Sequence, residues 1–306
     1  MKTKTIFAFA TLSLVGLTAC SNDKDFPKSE EANQEVCLHV DVNSLSTRAS
    51  HADASTFDDF GISIASASGN QNYNWNNVKV TASDSGDNRT WKPTQSMSWK
   101  SGNQTINVLA FTPYNADAPD NLIKNKNFPI SVSVQQGPTE YGSDFLVYKK
   151  SNFNPVIHNN NFKAIEVNFR HAMSQLNVNL TFKGYTDDAI KKATPIQLEG
   201  TIVEGICDFT QESTWVKTGN TQPKRITVNK SNTTVPTVSY SAILVPQTIK
   251  AGKLTIAFSI DGWNYIWTST RDYTFVENTS YTLNITADDN KTTATAIQSR
   301  AWNNNR

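Results

Sequence analysis

Period-two alternation is the feature that most limits what this chain can fold into. Val36, Leu38, Val40 and Val42 alternate with Cys37, His39 and Asp41. An extended backbone sends successive side chains to opposite faces, so this segment reads as a strand with one apolar face. Comparable runs lie at residues 61–65, 105–111, 130–134, 165–169, 176–182, 226–228, 242–245, 254–260 and 281–285, bounded by Asn, Asp, Gly, Ser and Pro. Helical periodicity is confined to residues 187–192, enough for one turn. Many short strands without long helices predict an all-β chain of sandwiches or open barrels, not a doubly wound fold. With 306 residues there is room for two domains. The polar stretch Gly184-Tyr185-Thr186-Asp187-Asp188 is the expected junction, giving one β-sandwich over residues 49–183 and another over 184–306.

The N-terminus reads differently. Lys2 and Lys4 precede an uncharged apolar run over residues 6–17, too short to span a bilayer, so residues 1–19 read as a signal peptide. Leu17-Thr18-Ala19-Cys20 resembles the bacterial lipobox, in which the cysteine thiol is acylated and becomes the mature N-terminus. That resemblance implies palmitate-type lipidation of Cys20 and a leader over residues 20–48. Burying acyl chains contributes about 0.8 kcal/mol per CH2, so several chains would hold a soluble domain at a membrane surface. Ser21-Asn22-Asp23-Lys24-Asp25 resembles the acidic signal that sends Gram-negative lipoproteins to the outer face of the outer membrane.

Charge and reactive residues exclude several functions. Loss of Lys2 and Lys4 with the signal peptide leaves 26 basic against 27 acidic side chains, and a near-neutral chain without a basic run is not built for nucleic acid. His39, His51, His158 and His171 show no zinc spacing, and no nucleophile elbow or phosphate-binding glycine loop occurs, so no catalytic, metal or cofactor site is expected. The acid pairs Asp58-Asp59, Asp187-Asp188 and Asp288-Asp289 read as solvated turn residues, since adjacent strand positions face opposite ways. Cys37 and Cys207 read as unbridged thiols. Most of the seven tryptophans read as core packing.

Taken in order, several segments resemble one family. These are the lipobox leader, the 36–42 strand closed by Ser46-Thr47-Arg48-Ala49, Trp91-x-Pro93 with Trp99, and Val108-Leu109-Ala110-Phe111-x-Pro113-Tyr114. Asp144-Phe145-Leu146-Val147-Tyr148, Phe169-Arg170-His171-Ala172-Met173-Ser174-Gln175-Leu176, Leu244-Val245-Pro246-Gln247-Thr248 and a final strand ending in Trp302 continue the series. Together they are similar to the fimbrillin-like family, lipoprotein pilins and pilus-related proteins of Gram-negative anaerobes. The resemblance implies two tandem transthyretin-like β-sandwich domains, a lipid-anchored place on the outer membrane, and incorporation into surface fimbriae.

It also implies a mechanism. In similar pilins a trypsin-like protease cuts after an arginine behind the first strand, and a strand from another pilin subunit fills the groove that is left. Here Arg48 and Ala49 match the cleavage position, and Val36, Leu38, Val40 and Val42 are the groove fillers. Residues 286–302 alternate poorly for a donor strand, which suits a tip or accessory subunit. A host or bacterial surface glycan or protein is the expected receptor. The alternative reading is a non-polymerising surface lipoprotein that binds glycans, and a β-rich glycosidase is a third class. On balance the sequence reads as a structural or adhesive subunit and not an enzyme.

Overall fold

Apolar alternation becomes a seven-stranded sheet in the N-terminal part of the chain. The computed structural model describes residues 34–42, 54–68, 73–83, 89–99, 105–158, 161–288, 291–295 and 297–302. The sheet runs Leu38–Val42, Ile165–His171, Leu146–Phe153, Ile106–Thr112, Asp59–Ser66, Asn74–Ala82, Trp91–Pro93. One face carries a cluster built from Phe60, Ile62, Ile64, Val78, Val80 and Trp99, among others. The run at Ile106–Thr112 is nearly all buried because both of its faces are covered. Ile106, Val108 and Ala110 enter this cluster, while Leu109 and Phe111 enter a second one on the other side.

The second cluster fills a sandwich. One layer contains Lys230–Thr234, Thr237–Leu244, Ser174–Phe182 and Thr279–Asp288; the other contains Trp263–Thr268, Thr255–Ile260, Ile196–Thr201, Lys224–Val228 and Gln135–Gln136. Leu176, Val178 and Leu180 of the first layer share a core with Leu198, Ile226 and Ile256 of the second. Asp261 and Gly262, both at positive φ, form the tight turn between Thr255–Ile260 and Trp263–Thr268. This is the aspartate-glycine pairing that a two-residue hairpin loop favours.

The expected junction at 184–188 lies within a turn and a short helix, Asp187–Lys191, whose Thr186 side chain caps Ala189 N. The exchange between the two cores occurs elsewhere. Ser174–Phe182 pairs along its length with Thr237–Leu244 and, in parallel, with Thr279–Asp288. Phe128–Ser131 and Gln135–Gln136 pair with Glu204–Cys207 and Lys224–Val228. Residues on the near side of 184 thus help build the second core, because long-range pairing and not local polarity decides membership.

The end of the chain stays on the same layer. Lys291–Ala294 and Gln298–Ala301 both run antiparallel to Thr279–Asp288, as two halves of one edge strand. All four residues of Gln298–Ala301 are exposed, but Trp302 is fully buried.

Candidate functional site

The leading strand, Leu38–Val42, is a seam and not a loose tail. It pairs in parallel with Ile165–His171, in register from Leu38↔Ile165 to Val42↔Phe169. Just before it, Val36 N donates to Met97 O at 2.8 Å, Trp99 N donates to Gln34 O at 2.8 Å, and Glu35 bridges Ser98. Residues 34–42 therefore join one end of the seven-stranded sheet to the segment that follows its other end. Ile165–His171 depends on this strand, because among the described residues Leu146–Phe153 reaches only its Arg170 and His171.

Side chains divide as the alternation predicts. Val36, Leu38 and Val42 are each 5% exposed within the N-terminal core, and half-buried Val40 packs against it. Full burial of an aliphatic side chain is worth about 1.5–3 kcal/mol, so the three buried residues together contribute roughly 5–9 kcal/mol. That sum is comparable with the whole stability of an ordinary domain, about 5–15 kcal/mol. On the outer face His39 Nδ1 lies 2.9 Å from Glu166 Oε1, an exposed cross-strand pair. Beneath it, burial and then the Glu166 charge push the Tyr148 phenol up to about 12.

Cys20, Arg48 and Ala49 lie outside the described residues. Cys37 is half-buried in the leading segment and Cys207 is buried in Glu204–Cys207, with no disulfide between them. Burial raises the Cys207 thiol far above its ordinary range, which makes it a packing residue.

The residues weighed for chemistry are dispersed. Asp58 pairs with Arg89 at 2.7 Å and Asp59 with Lys79 at 2.8 Å. Among the described residues no three of His, Cys, Asp or Glu come together to hold a metal. Trp91, Trp99, Trp215 and Trp302 are buried, Trp75 and Trp267 are half-buried, and Trp263 is exposed.

Three motifs do meet in space. His171 Nδ1 lies 2.9 Å from Asp144 Oδ1 with both side chains fully buried. The His171 ring stacks on Trp302 at 3.9 Å between centroids and 2° between planes. Trp302 N donates to Asn278 O at 2.8 Å, so the last strand is pinned at its end. What sequence reasoning missed was the other half of the seam, residues 97–99 and Gln34; Trp99 was the only local signal there.

The sequence profile of the fimbrillin-like family matches residues 47–302. No curated protein sequence matches the chain. Among solved structures, the chain is similar to a candidate cell adhesion protein from Bacteroides ovatus, with TM-score 0.65, 15% identity, and coverage of 89% of this chain and 99% of that one. A candidate cell adhesion protein from Bacteroides uniformis gives TM-score 0.63, 15% identity and coverage of 88% and 98%. The tip fimbrial protein Mfa3 from Porphyromonas gingivalis, with C-terminal truncation, gives TM-score 0.50, 12% identity and coverage of 87% and 99%. At these identities the structural likeness speaks for the fold, while the profile spans most of the sequence. The chain belongs to the fimbrillin-like family.

Proposed function

We propose that this protein is a subunit of cell-surface fimbriae, anchored in the outer membrane through lipidated Cys20 and joined to another subunit by strand exchange at the leading-strand seam. The observation that carries this reading is the position of Leu38–Val42. It is an edge strand whose inward residues complete a core, and whose removal leaves residues 165–169 of Ile165–His171 without a ladder partner among the described residues. Arg48 follows within the connector to the rest of the sheet, and the family match begins at residue 47, after the leading strand.

A trypsin-like protease cutting between Arg48 and Ala49 would release the segment. The exposed apolar groove and unpaired edge would then favour a strand from a neighbour, which restores both backbone hydrogen bonds and side-chain pockets. The C-terminal edge strand offers little apolar bulk: Gln298–Ala301 presents no large aliphatic residue. This subunit therefore accepts a strand better than it donates one, as a tip or accessory position requires.

The test is protease treatment of the purified protein mixed with its fimbrial partner subunits, followed by N-terminal sequencing and size measurement. Ala49 as the new N-terminus, with higher-order species that Arg48→Ala prevents, supports the proposal. A cut protein that stays monomeric in the presence of its fimbrial partners refutes it.

A further inference from the structure

We propose that the cleft between Trp263–Thr268 and the C-terminal edge strand is a binding site for a saccharide bearing a carboxylate. The cleft has a volume of about 460 Å3, within the range of small-ligand sites. Half-buried Trp267 and Tyr273 line it, supplying the apolar aromatic surface on which the C–H faces of sugar rings rest. Thr268 and Thr295 add hydroxyl groups able both to donate and to accept, and Thr292, whose hydroxyl donates to Ile266 O, adds an acceptor. Thr292 Oγ1 lies 3.5 Å from Ile266 O on the facing wall.

Arg271 sets the ligand's charge. Its Nε donates to Tyr273 Oη at 3.2 Å, and its guanidinium lies 5.2 Å from the Tyr273 ring centroid, which places the side chain at the cleft. No carboxylate neutralises it among the described residues, since neighbouring Asp272 is committed to Lys250 Nζ at 2.8 Å and Ala251 N at 2.9 Å. A guanidinium held on an aromatic face with free terminal donors suits a carboxylate, which it can grip with two parallel hydrogen bonds. Aromatic walls, neutral hydroxyls and a cation that no carboxylate pairs among the described residues together match an acidic sugar. They do not match an apolar peptide, which would leave the hydroxyls and the charge without partners. The site makes no use of the leading strand, so it is present in the uncut protein.

The test is calorimetric titration of the uncut, full-length protein with 3′-sialyllactose and with trigalacturonic acid, against lactose as the neutral control. Saturable binding of at least one acidic probe is expected, at least tenfold tighter than lactose. Arg271→Gln should weaken it at least tenfold, and Thr295→Trp, placed at an exposed position to fill the cleft, should abolish it. Both variants should unfold at the same temperature as the wild type. Failure of both acidic probes to bind, equal binding of lactose, or binding untouched by both substitutions overturns the proposal.

Discussion

Leu38 and His39 are adjacent on the leading strand yet contribute at different scales. Leu38 is 5% exposed in the core, so Leu38→Ala should cost about 2–5 kcal/mol. His39→Ala removes only an exposed pair with Glu166 and should change stability by less than about 0.5 kcal/mol. Denaturant unfolding of the two variants checks this directly. Alternation made this contrast legible from sequence. Glu277 was not legible, because its partner lies far away in the chain: half-buried, it accepts from Val216 N across 61 positions. Burial pushes its carboxyl up to about 7, partly opposed by the backbone N–H groups of Val216 and Trp215 and by the charge of Arg170. The folded state therefore holds a proton that the unfolded chain releases near the usual glutamate value. The associated stabilisation, roughly 3 kcal/mol from the shift, is full below about pH 4.5 and is lost as pH rises through 7. Glu277→Gln should flatten that decline while keeping an acceptor for Val216 N, as thermal unfolding between pH 5 and 8 would show.

Among the elements, existence was readable and partnership was not. The strands at Leu38–Val42, Ile106–Thr112 and Ser174–Phe182 all fall in runs with clear apolar patterning. Nothing local says that the first lies parallel to Ile165–His171, or that the third belongs to the C-terminal sandwich, because a strand's pattern records how its faces are buried and not which edge it meets. The C-terminal edge strand shows the same gap. Its weak alternation is explained by exposed Gln298–Ala301; beyond its ladder with Thr279–Asp288 it is held by Ile297, packed against the core, and by Trp302, fully buried and stacked on His171. Trp302→Ala should therefore speed amide exchange along Gln298–Ala301 by at least tenfold while leaving Ser174–Phe182 protected. Uniform loss of protection across that sheet would show that the tryptophan supports the whole sandwich instead of one end of a strand.

For the whole molecule, the all-β class and family were legible because they rest on repeated local patterns and ordered motifs, while the closure of the N-terminal sheet through residues 97–99 emerged only in three dimensions. That closure makes the leading strand structurally valuable and, in the proposed assembly, replaceable. The most direct test is amide hydrogen exchange at Ile165–His171, followed through cleavage after Arg48 and into any oligomer that forms. The account predicts slow exchange in the uncut protein, rapid exchange at residues 165–169 once residues 34–42 have left, and slow exchange again in oligomers that lack those residues. A cut monomer that has lost the segment yet keeps those amides slow would contradict it, as would oligomers that still retain residues 34–42 in the seam.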